Sequence, residues 1–75
     1  AGLRELMSGQ VLEPVVAQVA PDRPRLRTQM VASQVLGLGT ALWVMELDAL
    51  AGAGADALVA LYGPTVQRYL TGELP

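Results

Sequence analysis

The chain has 75 residues, 52% of them hydrophobic, and a formal net charge of −2. It contains no cysteine and no histidine, which excludes disulfides, the usual zinc sites and most nucleophile–base pairs. Its basic residues are five scattered arginines with no lysine, a poor basis for binding nucleic acid, where phosphate neutralisation supplies most of the affinity.

One small domain is the most this length allows, and such a domain buries only about 60–65% of its unfolded surface. With disulfides and metals excluded, self-association is the support left to it. There is no initiator methionine and no basic segment with a cleavage site, so no signal peptide is expected. A chain that starts Ala-Gly-Leu reads as a piece of something longer.

The first predicted helix covers residues 2–19. Leu3, Met7, Val11, Val15 and Val19 recur every four residues and are joined by Leu6, Leu12 and Val16, a broad apolar stripe. Ser8-Gly9 weakens its middle. Pro14 removes a ladder bond and clashes with the Gln10 carbonyl, which predicts a bend or a fresh start with Glu13 near the new N-terminus. Ala20 to Pro24 is a turn. Pro21 stops the first helix, Asp22 is the expected cap of the next, and Pro24 falls in its first turn.

The second predicted helix covers residues 23–47, roughly 37 Å at 1.5 Å per residue. Thr28 to Met45 is 18 residues without a formal charge, and it has no polar side. Val31, Leu38, Leu42 and Met45 share one face. Ala32, Leu36 and Trp43 share another, and Ser33, Gly37, Ala41 and Val44 a third. A helix that is apolar all round must be covered all round. One short segment before it and one after it are too little for that.

Asp48 to Ala55 is small and glycine-rich. Gly52 and Gly54 are expected to make a turn, with Leu50 tucked inward. The third predicted helix covers residues 55–71, with Asp56 in its first turn at the positive end of the dipole. Leu58, Leu61, Tyr62, Thr65 and Tyr69 share one stripe, widened by Val59, Val66 and Leu70. Gly63-Pro64 predicts a kink or a short break. Arg68 lies in the last turn, and Gly72 is the expected left-handed cap. There is no strand signal, so the predicted fold class is all-α.

No catalytic, metal or cofactor site is expected. The carboxylates Glu5, Glu13, Asp22, Glu46, Asp48, Asp56 and Glu73 are scattered, and Glu46 and Asp48 diverge on a helix. Gly37-Leu38-Gly39 lacks phosphate-binding spacing. Other features have two readings each. The row Ser33, Gly37, Ala41 lets another helix approach closely, within the chain or across a dimer. Gln29 and Gln34 are partly exposed amides or the polar lining of a ligand cavity. Met7, Met30 and Met45 are core or an adaptable pocket wall. Trp43 is core or an interface anchor. Arg68 is a solvated helix-end charge or crosses an interface. Eighteen uncharged residues reach the lower bound for a membrane span. The run carries Thr28, Gln29, Ser33, Gln34 and Thr40, however, and lacks aromatics at both ends, so no membrane partner is expected.

The order VASQVLGLGTALWVMELDALA, a small-residue loop, then DALVALYGPTVQRYLTG resembles the C-terminal end of TetR-family transcriptional regulators, particularly the actinobacterial type. The last helix ends in the phrase Pro64-Thr-Val-Gln-Arg-Tyr-Leu-Thr-Gly72. Val11-Leu-Glu-Pro-Val15, followed by Pro21-Asp22 and an arginine-bearing helix start, fits as well. The chain departs from relatives at Leu42 and Trp43, where arginine and tyrosine are frequent, and at Glu46, where an arginine is common.

The resemblance implies a cytoplasmic, all-helical homodimer in which the last two helices pair with their mates as a four-helix bundle. It also implies a small-molecule site, and operator DNA bound only through an N-terminal helix-turn-helix domain absent from this chain. Gly37 matches the family's helix glycine, and Thr65, Arg68 and Tyr69 match its final phrase. The expected dimer face is then Ser33, Gly37, Thr40, Ala41 and Val44 with Leu58, Leu61, Tyr62, Thr65, Arg68 and Tyr69. The expected ligand pocket, for a small apolar molecule, is Met7, Val11, Met30, Gln34 and Leu38. The alternatives are a stand-alone helical homo-oligomerisation module without a ligand and a membrane-inserted helix.

Overall fold

A computed structural model describes residues 11–75, with Gly2 and Arg4 before them. Of the helix expected over 2–19, residues 3 and 5–10, Met7 among them, lie outside the described residues. The described residues form four α-helices and one π-helical turn, with no strand among them. Helix α1 is Glu13–Val16, α2 is Pro24–Gly39, α3 is Asp48–Ala53 and α4 is Ala55–Thr71. The π turn, Thr40–Val44, follows α2 directly.

Pro14 sets the start of α1, because a proline is harmless in a first turn. The fresh start at Glu13 is therefore observed. Regular helix ends at Val16, and single turns continue to Ala20, whose N–H donates to the Val16 carbonyl at 2.9 Å.

Pro24 opens α2 as its spacing predicts. The residue before a proline is pushed out of the right-handed helical region, and Arg23 takes φ 43° and ψ 53°. No side chain caps α2. The cap expected of Asp22 is not made, because its carboxylate accepts from the Arg27 guanidinium instead.

The α-helical ladder of α2 stops at Gly39, short of the predicted Leu47. Gly37 and Gly39 weaken it within one turn. Beyond them the Met45 N–H reaches the Thr40 carbonyl at 2.9 Å, a five-residue step. Glu46, at φ 52°, ends the element.

The segment expected as a plain turn contains α3. Ala49, Leu50, Ala51 and Ala53 are strong helix formers, and one internal glycine costs only about 1 kcal/mol. Gly54, at φ 87°, makes the turn into α4.

Helix α4 is unbroken through Pro64, against the predicted kink or break. Gly63 explains part of this, since proline crowds the Cβ of the preceding residue and glycine has none. Gly72 closes α4 with its N–H on the Arg68 carbonyl at 2.8 Å. Its φ of −79° and ψ of 170° are extended, not left-handed. Glycine is needed there for space: a Cβ would sit 2.8 Å from the Arg68 carbonyl oxygen and Cγ.

Helix α2 packs against α4 on one side and α1 on another. The core is thin. Among the described residues only Val16, Arg27 and Thr28 are buried. The radius of gyration is 13.4 Å, where a compact chain of this length has about 11 Å.

Candidate functional site

Two features stand out where α2 meets its neighbours: a buried arginine at its start and uncovered apolar surface at its end. Arg27 is 1% exposed. Its Nε donates to the Asp22 carbonyl at 2.9 Å and Oδ1 at 3.2 Å. Its Nη2 donates to the same Oδ1 at 2.7 Å. Its Nη1 donates to the Tyr69 carbonyl at 3.1 Å, on the last turn of α4. Three elements therefore meet on one guanidinium: the turn before α2, α2 itself and the end of α4. Thr28 beside it returns its hydroxyl to the Pro24 carbonyl at 2.7 Å, which satisfies the second buried polar side chain.

The hydrogen bond from Arg27 holds the Asp22 carboxyl below its ordinary value of 3.8. Partial desolvation opposes this, and the positive charges of Arg27 and Arg23 add to it. Arg23 also reaches across the molecule, its Nη1 donating to the Pro75 carbonyl at 3.1 Å.

At the other end of α2 the apolar residues lack cover. Val35, Leu36, Trp43, Val44 and Met45 are all exposed, with Trp43 at 80%. A groove of about 370 Å³ runs between Val35, Leu36, Gly39, Thr40, Trp43 and Val44. Gly39 makes room for it: a Cβ there would stand 3.3 Å from the indole ring of Trp43.

The expected dimer-face residues fall into two groups. Ser33, Gly37, Val44, Leu61, Thr65 and Arg68 are exposed. Thr40, Ala41, Leu58, Tyr62 and Tyr69 are half-buried in the single chain. Around Gly37 nothing among the described residues outside its own helix lies within 4 Å of a would-be Cβ. Of the expected pocket, Met30, Gln34 and Leu38 are half-buried and Val11 is exposed. None of them lines the groove, which instead takes in Thr40 and Val44 of the expected dimer face.

Arg27 was missed from sequence. It reads there as the last charge before the uncharged run, and its spacing of five from Asp22 was the available signal. Among the described residues there is no carboxylate, histidine or cysteine cluster suited to a metal. No described helix is long and apolar enough to cross a membrane.

The family model described as the tetracyclin repressor-like, C-terminal domain matches residues 1–70. No curated protein matches the chain significantly, and no solved structure does.

Proposed function

The chain belongs to the family of tetracyclin repressor-like C-terminal domains, and on that premise we propose that it is the dimerising and small-molecule-sensing part of a transcriptional regulator. Domains of this kind belong to regulators, which are not enzymes. The observation that carries the proposal is the apolar surface a single copy leaves open, at Val35, Leu36, Trp43 and Val44 on the α2 side and at Val59 and Leu61 on α4. Monomeric proteins rarely expose contiguous apolar patches of more than a few hundred Å². A second copy of the chain is the cover that a homodimeric regulator supplies.

In this reading residues 1–75 form one regulatory unit, and DNA is read by a separate helix-turn-helix domain. A small apolar ligand wedged against α2, beside Met30, Gln34 and Leu38, favours one arrangement of the helices over another. Arg27 ties α2 to the end of α4, so a shift of α2 is carried to the helix expected at the dimer face. The two DNA-reading heads need a fixed separation on an operator, and the shift changes it.

The test is the absolute mass of the chain in detergent-free buffer, by light scattering behind size exclusion over a tenfold concentration range. A persistent species at twice 7.9 kDa is expected. A well-folded monomer throughout rejects the dimer. Fused behind a monomeric helix-turn-helix domain, the chain is expected to confer dimer-dependent operator binding.

A further inference from the structure

We infer that Trp43 is the anchor of the contact between two copies, each indole entering the groove beside its partner's Trp43. This rests on the dimer proposed above and goes further in naming the residue and its receptor. Trp43 is the most exposed of the large apolar side chains among the described residues. It is also positioned. Its ring lies against Gly39, at the distance where a Cβ would touch it. A ring already held on one side loses little freedom on binding.

The receptor lies beside the anchor. The groove walls are Val35, Leu36 and Val44, with Thr40 the one polar side chain and no charged residue among its lining. A protruding indole next to an apolar groove is self-complementary under a two-fold axis: each copy gives the ring and receives one. Tryptophan is among the commonest residues to carry most of an interface's energy.

The amount of open surface favours a second copy over a small ligand. The chain exposes 5256 Å², where a monomer of 7.9 kDa exposes about 4,400 Å². Taken over the whole chain, the excess is about 850 Å², of the order of the roughly 800 Å² that each partner buries in a standard protein interface. A small-molecule site encloses most of its ligand. An open groove whose walls reach 76% exposure at Val44 does not.

Trp43 is the only tryptophan, so fluorescence excited at the red edge of the absorption band, where Tyr62 and Tyr69 do not absorb, reports on it alone. The experiment follows emission and iodide quenching of the 75-residue chain through a dilution series, with mass measured in parallel. The expected result is a dimer with blue-shifted, shielded emission that moves to the red and becomes quenchable as it dissociates. Trp43→Ala and, separately, Val35→Glu are each expected to raise the dissociation constant about thirtyfold or more at unchanged helix content, the fold-change of a ~2 kcal/mol hot spot. Val35→Glu places a good helix former at an exposed helical position, so its effect is not one of misfolding.

A dimer whose tryptophan stays fully quenchable overturns the inference and leaves the dimer standing on another face. A monomer at every concentration overturns both. A blue shift produced only by an added apolar ligand, at unchanged mass, assigns the groove to a ligand and overturns the inference.

Discussion

Arg27 is the least exposed large side chain described here, and it is charged. It is accommodated because its planar fork reaches two carbonyls and one carboxylate oxygen at once. A lysine at the same place offers one point charge and cannot span those acceptors. Arg27→Lys is therefore expected to destabilise the fold by about 1–3 kcal/mol in a urea titration, much of it from the Tyr69 carbonyl left without its donor. The same cluster sets an acid limit. Asp22 titrates below its ordinary 3.8 in the folded chain, so its contribution is complete above that value and is lost as pH falls through the lower, folded one. The melting temperature is expected to drop on acidification below about pH 4, and Asp22→Asn is expected to remove that part of the drop. Little of this was legible in the sequence. The charge at position 27 looks like the polar end of an apolar helix. Its burial depends on a carbonyl 42 residues away, and no local periodicity encodes that.

Among the elements, starts were easier to read than ends. Pro14 and Pro24 mark the first turns of α1 and α2, and Asp56 and Arg68 mark the two ends of α4, because each acts on the backbone or dipole within one turn. The end of α2 carried no such mark. The apolar run continues past Gly39 to Met45 without a proline or a cap, so the switch to a wider π turn is invisible to a pattern of apolar residues. Short π segments often mark functional sites, and this one carries Trp43. Helix α3 was hidden for the opposite reason: Gly52 and Gly54 look alike in sequence, and only Gly54 needs a positive φ. Pro64 shows how far a helix tolerates a local fault. It leaves the Ala60 carbonyl without its ladder donor inside a continuous α4. Pro64→Ala is expected to raise stability by about 1–3 kcal/mol, read as a higher melting temperature. An unchanged one means that tertiary packing already absorbs the fault.

At the scale of the whole molecule, the shortage of cover was the part most plainly written in the sequence. A run that is apolar on every side, flanked by so little chain, cannot be enclosed, and the three buried residues among those described bear that out. Where the gap falls was not written. The start of α2 is tied to the end of α4 through Arg27, while Val35, Leu36, Trp43 and Val44 stay exposed at its other end. Spacing alone favoured the row through Ser33 and Gly37, and exposed apolar side chains stand also at Val35, Leu36 and Trp43. The clasp at the start of α2 also has a bearing on time. The bond from Arg27 to the Tyr69 carbonyl closes a loop of 42 residues, an entropic cost of about 3 kcal/mol before any contact offsets it. A contact that completes only after both helices have docked acts on the escape from the native state, not on the approach to it. Stopped-flow measurements on Arg27→Lys are accordingly expected to show faster unfolding with refolding nearly unchanged. Slower refolding, with unfolding untouched, identifies this clasp as the nucleus on which the rest of the chain condenses.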